Sequence, residues 1–170
     1  MKNISRLIIA AFAITAFFAA CSKVDNLHKL DPLPVYQEGI SPVLNSSTNT
    51  VAPALADSNN NVVSFSWTNP KYANDSSTTK YVLEIDSTGG NFLNAASVTV
   101  KGVLDTFLTG KQINAILLSY GYAVGVAKEI DVRVVSSYAN NNERYMSNTV
   151  KITATPVADP SKLTGSATSV

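Results

Sequence analysis

A single cysteine, Cys21, excludes an internal disulfide, so any folded part must be held by its apolar core. The one histidine, His28, stands apart from it, and no Cys/His set with zinc spacing can be assembled. Lysine and arginine are scattered and never form the basic stripe a phosphate backbone requires, which excludes nucleic acid as a partner. Acidic blocks are equally absent. Nor is there a phosphate-binding loop. Gly89-Gly90 reads as a turn, while Gly121 and Gly125 come after no strand and lack the required Lys-Ser or Lys-Thr. The apolar run from Leu7 to Ala20 falls short of the roughly 20 residues that span a bilayer.

That run has another use. Lys2 and Arg6 precede it and small residues close it, which is the pattern of a signal peptide over residues 1–20. The sequence Phe18-Ala19-Ala20-Cys21 resembles a bacterial lipobox. The resemblance implies that the Cys21 thiol is acylated and becomes the mature N-terminus. Several acyl chains together give stable membrane anchoring. Without Lys2 and Arg6 the chain keeps eleven basic and twelve acidic residues, so it is nearly neutral.

Residues 21–40 carry Pro32, Pro34 and several charges with no apolar period, and read as a flexible tether. Over residues 41–156, short apolar stretches alternate with turn clusters, as an all-β sandwich of about seven strands requires. Val63, Phe65 and Trp67 should face inward and Ser64, Ser66 and Thr68 outward, with Pro70 ending the strand. Tyr81, Leu83 and Ile85 mark the inner face of the next strand, and Ser97–Val100 is expected to pair beside it. Ile130, Val132 and Val134 mark another strand, and Val150, Ile152 and Ala154 the last. The segments 57–61, 74–77 and 140–142 read as loops.

One segment breaks the two-residue period. Thr109 and Gln112 have the spacing of a capping box, Ile113, Ile116, Leu117 and Tyr120 recur at helical spacing, and Gly121 is placed to end the turn. This predicts one short crossing helix at about residues 110–120. Residues 157–170 have the composition of a linker-like tail.

Val63 to Pro70, with an inward Trp before a proline, resembles the second strand of fibronectin type III modules. Tyr81–Ile85 is similar to their third strand, and Asp131–Val134 with Ser147–Ile152 to their final hairpin. The resemblance implies an immunoglobulin-like Greek-key sandwich. The whole chain is more specifically similar to the N-terminal part of the SusE/SusF family. That likeness runs in order through Val51-Ala52-Pro53, Ala56-Asp57-Ser58, Phe65-Ser66-Trp67, residues 80–89, Thr109-Gly110-Lys111 and Asp131-Val132-Arg133. It implies a lipid-anchored protein of the outer membrane, at the cell surface, in a starch or other glycan uptake system. The implied partners are a TonB-dependent transporter and a SusD-like protein, and in such proteins the sugar is bound by modules C-terminal to the sandwich.

Residues that bear chemistry are few, and neither an enzyme nor a cofactor site is expected. Glu84 and Asp86 should share the outer face of one strand about 7 Å apart, a separation seen in glycosidase carboxylate pairs. Arg133 is expected on the neighbouring strand facing the same way, which favours an exposed charge pair instead. Trp67 reads as core. Tyr72, Tyr122, Tyr138 and Tyr145 lie in or near loops. Tyr138 and Tyr145 flank Asn140 and Asn141, and these four are the candidate glycan contacts. Three readings are open: a spacer or docking module on a lipid anchor, direct glycan binding through loop tyrosines, and a hydrolase built on Glu84 and Asp86.

Overall fold

The computed structural model describes residues 37–73 and 75–158. The signal peptide, Cys21, His28, most of the tether and most of the tail lie outside the described residues. Among the described residues, nine strands form two sheets. The first sheet holds β1 (Leu44–Ser46), β3 (Asn61–Trp67) and β6 (Asp105–Thr109), in the order β1-β3-β6. The second has the order β2-β9-β7-β4-β5. It is built from β2 (Thr50–Val51), β4 (Thr79–Ser87), β5 (Ala96–Lys101), β7 (Lys128–Tyr138) and β9 (Val150–Ala154). The short β8 (Tyr145–Met146) pairs with β7. The fold is therefore the expected β-sandwich. Its strand count exceeds the expected seven or so because β1, β2 and β8 have only two or three residues, too few to show an alternation.

Alternation decides which residues meet between the sheets. Val63, Phe65 and Trp67 from one sheet, and Tyr81, Leu83, Ile85, Ile130, Val132, Val134 and Ile152 from the other, are all buried. Each face expected to point inward does so. Trp67 and Tyr81 join the two layers with ring centroids 5.3 Å apart.

The helix α1 (Gly110–Ser119) carries the chain from the first sheet to the second. The Thr109 hydroxyl accepts from Gln112 N, and the Gln112 side chain accepts from Thr109 N at 2.9 Å, so the predicted capping box forms. Ile113 and Leu117 are buried in the core. Gly121, at φ +73°, ends the helix, with Gly121 N donating to Leu118 O and Tyr122 N to Leu117 O. This is the paired bonding of a Schellman turn, for which glycine's access to positive φ is suited. Among the described residues no helix is long and apolar enough to cross a membrane.

The chain enters and leaves the sandwich at opposite ends. At the entry end, Gly39 N donates to Tyr145 Oη at 2.9 Å and Ile40 N to Pro70 O at 2.8 Å. Tyr145 lies opposite Ser136, near the C-terminal end of β7. At the exit end, Ala154 lies opposite Lys128, the first residue of β7, and Pro156 O accepts from Gly125 N at 2.8 Å. The eight residue steps along β7 from Lys128 to Ser136 correspond to roughly 25–30 Å.

Candidate functional site

The entry end holds three of the four tyrosines that the sequence placed in or near loops, whereas Tyr122 lies beside Tyr120 just after the helix. Tyr72 is buried between two others, edge-on to Tyr138 (centroids 4.9 Å) and stacked on Tyr145 (5.2 Å). Their hydroxyls are engaged. Tyr138 donates to Tyr72 O at 3.2 Å, Tyr145 to Glu143 at 3.0 Å, and the Tyr72 hydroxyl accepts from Ser136 at 3.3 Å. A Cβ at Gly39 would stand 2.7 Å from the Tyr145 ring and 2.9 Å from that of Tyr72, so the entering backbone lies directly on the cluster. Tyr138 and Tyr145 are thus brought together through Tyr72. Asn140 and Asn141 occupy the adjoining turn, where the Asn140 side chain accepts from Asn142 N at 3.0 Å and that of Asn141 accepts from Lys80 Nζ.

Burial pushes the hydroxyls of Tyr72, Tyr81, Tyr120 and Tyr122 above the ordinary tyrosine value of 10.0. A group whose pKa is higher folded than unfolded holds its proton more tightly when folded, so stability falls once pH rises past the unfolded value. The expected result is a melting temperature that declines above pH 10, with a shallower decline in Tyr72→Phe. Equal slopes in the two proteins would mean that Tyr72 ionises as freely folded as unfolded.

The carboxylates on β4 do not form the exposed pair that the sequence allowed. Glu84 accepts from Arg133 Nε at 2.7 Å, and the guanidinium also lies 4.0 Å from the Phe92 ring centroid. The expected charge pair exists, but it is partly buried. Asp86 is buried, at 2 % exposure, beneath the turn that comes after β4. Its Oδ1 accepts from Ser87 N at 2.7 Å, and a Cβ at Gly90 would collide with Oδ2. Among the described residues, no three His, Cys, Asp or Glu side chains gather as a metal site.

The exit end is organised by an asparagine that sequence reading passed over. Asn114, on α1, donates through Nδ2 to Val157 O at 3.0 Å and accepts from Val157 N at 2.8 Å. Its side-chain amide thereby takes the part of a strand partner for the departing chain. Beside it runs a groove of ≈ 310 Å³ lined by Leu55, Gly110, Lys111, Asn114, Val157 and Ala158. The signal was present, since a polar residue adjoins Ile113 on a helix whose buried positions otherwise carry aliphatic side chains or glycine. Tyr120, read as part of the apolar stripe, likewise has a polar duty. Its hydroxyl donates to Ile85 O at 2.5 Å and accepts from Ala96 N at 3.0 Å, tying β4 to the start of β5.

The fold and its two ends define a β-sandwich module threaded end to end, with its chain fixed by hydrogen bonds at both points of passage. The chain belongs to the SusE outer membrane protein family, whose sequence model matches residues 29–135, from the tether into β7. It is accordingly an outer-membrane component of a Sus-type system, in a family of non-catalytic proteins. No curated protein matches the chain significantly.

Proposed function

We propose that the chain is a lipoprotein anchored through Cys21 whose sandwich serves as a spacer. In this reading it holds glycan-binding parts of the uptake system at a distance from the membrane, beside a TonB-dependent transporter and a SusD-like protein. The observation that carries it is the placement of entry and exit at opposite ends of β7, each fixed to the body. A module that only decorated a surface would gain nothing from that arrangement. One that separates two things needs it.

Energy transfer from dyes on the acylated protein to a lipid-borne acceptor tests the reading. Asn141 is at the entry end, and Leu93, 82 % exposed, is in the turn at the exit end. Spacing requires the Leu93 dye to sit farther from the lipid by about 25–30 Å. Equal transfer from both positions would show that the module lies flat and spaces nothing.

Glycan binding by Tyr138, Asn140, Asn141 and Tyr145 is the second reading, and what favours it is their common position at the entry end. Calorimetric titration with maltooligosaccharides separates the two. Heat that disappears in Tyr145→Ala with an unchanged melting temperature establishes glycan binding. Absence of heat from a folded sample, with a lowered melting temperature in the variant, leaves these rings as packing around the entry.

A further inference from the structure

We infer that this module resists tension applied between its two ends, through a shear clamp where β2 meets β9. The inference takes its source of tension from the spacer reading, whereas the clamp itself is a property of the fold.

Strands β2 and β9 are parallel, with Thr50 opposite Thr153 and Val51 opposite Ala154. Thr153 N donates to Asn49 O and Thr155 N to Val51 O, both at 2.9 Å, which extends the pairing at each side. Val51 and Ala154 are buried in the core, which fixes the inner side of the pairing.

The chain path fixes the direction of loading. Residues 37–51 run from the entry end toward the exit end, and β9 runs the same way. A pull on the entering chain drags β2 back toward the entry. A pull on the departing chain drags β9 toward the exit. The two strands must then slide past each other, with all their bonds loaded together. Had the first and last strands been antiparallel neighbours with their free ends on one side, the same pull would open the bonds one after another.

Two asparagines anchor the chain just outside this pair. Asn148 holds β1 from the loop before β9, accepting from Leu44 N at 2.8 Å and donating to Leu44 O at 3.1 Å. Asn114 holds Val157 in the same two-bond manner at the other end. Each side-chain amide pairs with a backbone segment as a strand would. These anchors add to the resistance at each end, and once they give way the clamp carries the load. The pairing of β1 with β3, from Leu44↔Trp67 to Ser46↔Phe65, is sheared by the same pull.

Single-molecule pulling on the Cys21→Ser chain tests this. Handles at the two chain termini load the clamp along its axis. Moving the N-terminal handle to Leu93→Cys, at the exit end, lets β9 peel from its C-terminal side. At equal load the axial unfolding rate is expected to be at least about tenfold slower, the factor that ~1.4 kcal/mol makes. Val51→Pro removes one backbone N–H from β2 and should accelerate axial unfolding about tenfold, with a much smaller effect on peeling. Because proline at a buried strand position also weakens folding itself, Thr50→Cys with Thr153→Cys supplies an independent check. When oxidised it should suppress axial rupture between residues 50 and 153, and reduction should restore it. Equal axial and peeling rates, or axial rupture at unchanged load with the disulfide closed, would overturn the clamp. A module that lies flat on lipid yet shows the direction dependence would sink the spacer reading alone.

Discussion

Trp67→Ala is expected to lower the stability of the sandwich by about 3–5 kcal/mol, which for a domain of this size is a fall of roughly 10–20 °C in melting temperature. The ring is 4 % exposed and packs against Tyr81 between the sheets, next to Leu44 across the β1–β3 ladder. Removing it opens a cavity that neither sheet can close, because each is fixed by its own ladder. Trp67→Phe separates the ring from its polar atom. The indole Nε1 is buried without a partner among the described residues, so phenylalanine removes a burden as well as some volume. It should therefore cost much less than alanine. Thermal melting followed by far-ultraviolet circular dichroism reads both variants, since the sole tryptophan is lost. A shift of only a few degrees for Trp67→Ala would show that the ring is not core.

The core was legible because its strands alternate cleanly. Val63-Ser64-Phe65-Ser66-Trp67 and Tyr81-Val82-Leu83-Glu84-Ile85 announce their faces, and the structure buries the expected residues. The helix was legible for a different reason, since the capping pair Thr109–Gln112 and the terminal Gly121 bracket it. Strand β6 escaped notice because Phe107 and Leu108 are adjacent and only Leu108 is fully buried, leaving no period to read. At two residues, β2 and β8 are defined by their partners rather than by their own sequence.

The entry and exit were the least legible parts, because each depends on contacts across long sequence separations. Gly39 meets Tyr145 over 106 positions, and Leu44 meets Asn148 over 104. Composition marks residues up to 40 as tether and residues from 157 as tail, and nothing local shows Ile40 or Val157 fastened to the body. Asp86 illustrates the same limit. Period-two alternation assigns it to the outer face correctly, yet the turn that folds back over that face buries it. The pairing of Glu84 with Arg133 was readable because adjacent strands bring cross-strand partners into register.

Cys21→Ser is expected to shift the protein from the membrane fraction almost entirely to the soluble one while leaving its melting temperature unchanged. The reason lies in area and distance. Among the described residues the exposed large apolar side chains include single residues such as Ile40, Val43, Phe107 and Met146, each about half exposed. These cannot match acyl chains that contribute about 0.8 kcal/mol for each buried CH₂. Serine supplies no thiol to acylate, so nothing replaces that contribution. Melting should be insensitive because the buried core is drawn from Leu44 to Ala154, more than twenty positions beyond Cys21. Fractionation of cells carrying each form, with mass spectrometry of the N-terminal peptide, checks both parts. A Cys21→Ser protein whose N-terminal peptide shows residues 1–20 removed, and which still stayed with the membrane after a high-salt wash, would mean that the sandwich or a partner, not the lipid, holds it there. The spacer reading would then need a different fixed end.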